Sequence, residues 1–103
     1  MSPASKIKEL RNRGWTAYVE HLRATTDGRY LPIWRIRELS RDPRQFAPGL
    51  EPTGGITSVV IESPSSGYWY EGVAVCSHED NFNRHLGLTI ALSRALDKMG
   101  EKL

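Results

Sequence analysis

Gly72-Val73-Ala74-Val75-Cys76-Ser77-His78-Glu79-Asp80-Asn81-Phe82-Asn83-Arg84-His85-Leu86-Gly87-Leu88-Thr89-Ile90-Ala91-Leu92-Ser93-Arg94-Ala95-Leu96 is the stretch that decides the fold. Its first part alternates as a strand, and its second part has the spacing of a helix. One strand face presents Tyr68, Tyr70, Gly72, Ala74 and Cys76, tapering from large to small, and the other presents Trp69, Glu71, Val73 and Val75. Gly87, Ala91 and Ala95, spaced by four, form a ridge of small residues on one side of the helix. Small side chains on both partners let a helix lie close to a sheet, so strand and helix are expected to form one unit.

Working outward, Ser77 followed by Asp80 has the form of a capping box, which predicts a helix from there to about Met99, with Gly100 stopping it. The apolar residues of that helix cover more than one face. The surplus calls for burial under an N-terminal helix or for a homodimer interface. Ile56–Glu62 and Tyr68–Cys76 read as strands joined by the turn Ser63–Gly67. Upstream, Ser2 or Ser5 caps a short helix over residues 3–12 that Gly14 ends. Trp15, Ala17 and Val19 alternate with Thr16, Tyr18 and Glu20 as a strand, and Thr25–Gly28 is a turn. Tyr30–Glu38 alternates again and predicts the second strand of a hairpin, with Pro32 at an edge. Residues 39–54, rich in Pro and Gly, read as a long loop, either a contact segment or one draped over the core by Phe46 and Leu50. The expectation is a single α+β domain over 1–103: a four-stranded antiparallel sheet, a short N-terminal helix and a long C-terminal helix packed on the sheet.

Composition agrees with one globular domain: 103 residues, 39% hydrophobic and 25% charged. The net charge of +2 is too mild for duplex DNA binding. Arg11, Arg13, Arg23, Arg29, Arg35, Arg37, Arg41 and Arg44 nevertheless all fall in the first half, as solvated charges or as a contact surface. The single Cys76 has no disulfide partner and sits in an apolar run, where a buried, reduced thiol is expected. No run is long enough to span a membrane and no signal-peptide core is seen, so a cytoplasmic protein is expected.

Few residues point to chemistry. Cys76, His78, Asp80 and His85 lack the paired spacing of a zinc site. Glu79 and Asp80 read as partners of a helix dipole, and no Gly-rich phosphate loop is present. Neither an enzyme nor a cofactor is expected. Ligand binding has more support. Asn83, Ile90 and Arg94 project from one side of the predicted helix, and Phe82 stands beside Asn81, Asn83 and Arg84, combining a stacking ring with amide and guanidinium donors. The competing structural reading is that Phe82 anchors the helix, Asn81 caps it, and Arg84 and Arg94 pair with Asp80 and Asp97. Trp15, Tyr18 and Trp34 with Arg35 and Arg37 form either a face for single-stranded nucleic acid or part of the core.

Residues 54–98 resemble the C-terminal unit of many small phage-encoded proteins. The similarity rests on Gly54-Gly55-Ile56-Thr57, Gly72–Ser77, Asp80-Asn81-Phe82-Asn83-Arg84, Gly87, Ile90-Ala91 and Arg94-Ala95-Leu96. It departs at Leu88, where such sequences often carry Arg or Lys. Many such proteins are accessory proteins, and some small phage proteins of this build resemble anti-defence factors, either Thoeris sponges that sequester a nucleotide signal or anti-CRISPR proteins that block a host immune complex. The resemblance implies a non-catalytic protein acting in the cytoplasm of an infected bacterium. It would sequester a small anionic nucleotide at Phe82, Asn83, Arg84 and Arg94, across a homodimer. The alternatives are an inhibitor that binds a host immune protein through Arg35, Arg37, Arg41 and Arg44, and a nucleic-acid-binding accessory protein.

Overall fold

A computed structural model describes residues 1–103. The elements are α1 (Pro3–Asn12), β1 (Thr16–Ala24), β2 (Tyr30–Pro32), α2 (Ile33–Arg41), β3 (Thr53–Glu62), β4 (Trp69–Asn81) and α3 (Arg84–Met99). The four strands make one antiparallel sheet in the order β2-β1-β3-β4. Thus the domain is α+β, with α3, 16 residues long, packed on β3 and β4.

Burial alternates along β3: Gly55, Thr57, Val59 and Ile61 are buried, and the residues between them are half-buried. Only one sheet face therefore meets the helices. Val59, Ile61, Ala74 and Ala17 on that face enclose Ala91, Leu92, Ala95 and Leu96 of α3 together with Ile7 and Leu10 of α1. Leu10, Leu92 and Leu96 are fully buried, each worth about 1.5–3 kcal/mol of transfer free energy. Part of the apolar surplus of α3 is thus covered by α1, as one of the two expected solutions. Polar groups secure the same junction. Lys6 is only 7% exposed, 3.3 Å from Glu9, and Arg13 bridges Glu9 at 3.1 Å and Glu101 at 2.9 Å. Glu9 is held below the usual carboxylate range by its hydrogen bonds from Lys6 and then Arg13.

Small residues set the helix–sheet distance. A Cβ on Gly72 would overlap the backbone carbonyl oxygen of Ala91 and crowd the Ala95 nitrogen. One on Gly87 would overlap the Thr57 hydroxyl. The ridge read from sequence is therefore a true close contact. α3 begins later than expected, however. β4 runs on to Asn81, and the N-cap is Asn83, whose Oδ1 accepts from Leu86 N at 2.9 Å. Ser77 caps nothing on α3 and Asp80 lies in the strand extension. An Asx cap directly before the first apolar turn outcompetes a box whose acceptor and acid are still in extended backbone. The helix ends at Gly100, in the left-handed region at φ 83°, as expected.

A second correction concerns residues 30–41. Only Tyr30–Pro32 pair with β1, and Ile33–Arg41 form a helix in place of the expected strand. Pro32, at φ −66°, ends the ladder and fixes the backbone just before the helix. Ile33, Ile36 and Leu39 recur at three-residue intervals on one face, with Leu39 buried, and Arg35 pairs with Glu38 at 3.2 Å. The alternation read from sequence is only the overlap of two spacings in a short segment. The long loop shrinks to 42–52. It is tied to the end of β1 by Glu51 N–Ala24 O and to the turn after β1 by Thr26 N–Gly49 O, both 2.9 Å. Phe46, 72% exposed, does not drape it over the core.

Because the obstacle at Gly72 is backbone, Gly72→Ala is expected to cost about 3 kcal/mol, the upper end for overpacking, or to block folding. Urea unfolding followed by tryptophan fluorescence reads this, and an unchanged midpoint would mean that α3 does not sit so close.

Candidate functional site

Between Gly55 and Cys76 of the β3–β4 ladder and the next pair, Thr53 with Asn81, the register shifts, and residues 77–80 of β4 make an excursion without partners in β3. Gly54 and Gly55 make the shift possible, at φ 78° and 131°, values an L side chain rarely adopts. Gly55 has a further task. The Phe82 ring lies directly on it, leaving no room for a Cβ. The thiol of Cys76 lies under the excursion, 3.4 Å from Asp80 O and 3.6 Å from the carbonyls of Ser77 and Asn81. Cys76 is half-buried among backbone acceptors, where the sequence predicted burial in an apolar core.

The excursion and the first turns of α3 enclose a cleft of about 500 Å³, within the range of small-molecule sites. Phe82, Leu86 and Ile90 supply apolar wall, while Thr57, Asn81 and Asn83 supply hydrogen-bonding groups. Leu86, 55% exposed, stands at its rim. Asp80 also lines it, but no Lys or Arg does. The helix N-terminus opens here. Leu86 N and Gly87 N are satisfied by Asn83, the first turn holds no acidic residue, and Arg84 and His85 are its first two residues. The positive end of the helix is therefore uncompensated by a carboxylate of its own.

Behind Phe82 stands a cluster that sequence reading did not single out. The Arg23 guanidinium lies 4.6 Å from the ring centroid, and His21 meets the ring edge-on at 5.8 Å. Arg23 donates to Glu51 O at 3.2 Å, but its buried Nε has no partner. His21 Nδ1 lies 2.9 Å from the hydroxyl of buried Thr57. The missed signal was parity: His21 and Arg23 share the strand face of buried Ala17, and polar residues on a helix-facing side mark a site or its support.

The four expected ligand residues do not converge. Phe82 and Asn83 line the cleft, with Asn83 already spent as the cap. Arg84 lines a separate groove with His21, Val19 and Trp34. Arg94 donates to Val73 O at 2.6 Å on the outer edge of β4. Ten residues of helix separate Arg94 from Arg84, about 15 Å of axial rise. Neither Arg pairs with Asp80 or Asp97. The four expected partner residues do fall together, on α2 and the loop after it. Arg35 is paired with Glu38 and Arg44 with Asp42, while Arg37 and Arg41 are exposed and make no ion pair. His78 stands 3.4 Å from the Tyr30 hydroxyl, and no three of the His, Cys, Asp and Glu side chains group as metal ligands. No helix is long and apolar enough to cross a membrane.

Comparison of the chain with protein-family models, with curated proteins and with solved structures gives no match.

Burial, and then the Arg84 charge, hold the His21 imidazole below its ordinary value. The unfolded chain therefore takes up this proton first as pH falls below about 6.5, and stability declines from there down through the folded value. The urea midpoint should drop between pH 7.5 and pH 5 in the native protein and drop less in His21→Gln. In an NMR titration, Arg84→Ala should move the His21 midpoint upward.

Proposed function

We propose that this chain is a non-catalytic binding protein of the phage anti-defence kind, acting in the cytoplasm of an infected bacterium by sequestering a small anionic nucleotide. What carries the reading is the N-terminus of α3, free of acidic residues in its first turn, opening onto a cleft beside an aromatic ring. The base occupies the cleft against Phe82, where Asn81 and Asp80 offer donors and acceptors to its edge. The phosphate lies outside, toward the free N–H groups of the first turn and Arg84, because the cleft itself holds a carboxylate and no cation. Arg94 has no part in this arrangement, being engaged with Val73. Exposed Leu86 at the rim is the apolar contact that a second copy would cover in a homodimer.

Native mass spectrometry of protein purified from a host with nucleotide-signalling defences, followed by calorimetry with the retained nucleotide, tests this. Leu86→Glu puts a carboxylate at the rim without touching the core and should weaken binding about tenfold or more. Arg94→Ala should leave binding within about twofold. Loss of binding in Arg94→Ala with retention in Leu86→Glu would remove the site from the cleft.

A second reading has one observation in its favour. α2 exposes Trp34 beside unpaired Arg37 and Arg41, the residue types that anchor protein interfaces. An inhibitor of a host immune protein through Arg35, Arg37, Arg41 and Arg44 would lose activity in Arg37→Glu/Arg41→Glu, whereas nucleotide retention by the same variant would be unchanged.

A further inference from the structure

One face of the sheet has no helix on it. α3 and α1 cover the face that carries Val59 and Ile61, and α2 lies against β1 and β2. On the uncovered side of β3 and β4 an antiparallel sheet normally shows mainly polar residues to water, and here apolar residues outnumber them. Leu22, Ile56 and Val75 stand in register across three strands and form an apolar row. The neighbouring rows add Tyr18 with Val60, and Trp69 at one end. Trp69 is 62% and Val75 68% exposed. The polar residues among them are just as one-sided. Glu62, Glu71 and Glu20 fall one to a row on three different strands, opposite Trp69, Val60 and Ser58, and none makes an ion pair. No Lys or Arg occupies an outward position on β1, β3 or β4, in a chain with 14 of them.

We propose that this face docks a basic, amphipathic segment of another protein. Three unpaired carboxylates spread among apolar side chains match Lys or Arg interleaved with aliphatic residues. Tyr18 and Trp69 offer ring faces on which a cation gains further attraction. The same charges reject the other candidates. Nucleic acid and anionic membrane surfaces meet three carboxylates, and a second copy stacked face to face would set carboxylates against carboxylates. The surface lies on the side of the sheet opposite the cleft and shares only Val75 with its lining, so its function does not depend on nucleotide binding.

The probe is a twelve-residue synthetic peptide alternating lysine and leucine, titrated into the isotope-labelled protein and followed by the Trp69 indole and backbone amide resonances. Controls alternate glutamate with leucine and lysine with serine. Shifts confined to the outward positions of β1, β3 and β4 are expected with the lysine–leucine peptide alone, weakening as salt is raised. Glu20→Lys/Glu71→Lys, at residues with no ion pairs to lose, should keep a dispersed spectrum and bind at least about tenfold more weakly. Equal binding of the acidic peptide would reduce the face to non-specific stickiness and overturn the proposal. So would shifts located elsewhere, no binding, or concentration-dependent shifts of this face without peptide, which would mark self-association.

Discussion

The approach of α3 to the sheet is the constraint on which the rest of the molecule depends. At Gly72 the helix backbone occupies the space of a side chain, and at Gly87 the sheet's Thr57 does the same to the helix. Contact at backbone distance fixes the depth and rotation of α3 together. That in turn fixes which residues of the helix turn inward to Leu10 and Ile61, and where its first turn opens. At the other end Phe82 lies against Gly55, a third contact in which a missing Cβ makes room for a neighbour. The cleft is the space left between a helix pinned at two glycines and a strand extension pinned at a third.

This unit was legible in the sequence because its contacts are local and their signal is absence. Small residues that recur at strand spacing and then at helix spacing mark a close approach of two backbones. An antiparallel sheet with β1, β3 and β4 in it followed from the same kind of periodicity, and the stop at Gly100 from a glycine placed just past the last apolar turn; the order of the strands did not. The failures have equally definite causes. Ile33–Arg41 is short, and with Ile33 and Ile36 inside it two periods fit its apolar residues. The helix is decided by Pro32 at its entrance and by the burial of Leu39, which depends on tertiary packing. The start of α3 was misplaced because the strand continues through a register shift that only the pairing of Thr53 with Asn81 reveals.

The candidate site was half legible. Phe82 and Asn83 stand where the cleft is, but Arg94 was grouped with them by helical spacing alone, which says nothing of distance along the axis. Arg23 and His21, which support the ring from behind, come from a strand far upstream in the chain and were reachable only through the parity of β1. Charge, too, is sorted by fold rather than by sequence half. The arginines of the first half divide between the α1 junction, the back of Phe82 and the α2 arm, while the uncovered sheet face keeps carboxylates alone.

The sheet order carries one more consequence. β1 and β3 are direct antiparallel neighbours, so the whole of Thr25–Pro52, with β2 and α2, is an insertion between two strands that a tight turn could have joined. None of its residues belongs to the ten-residue core; buried Leu39 lies outside that cluster. The domain is in this sense a frame carrying a replaceable arm. The frame holds the cleft and the acidic face under tight packing, while the arm can change length, charge or partner at little expense to stability. Divergence between proteins built on this frame is expected to concentrate there.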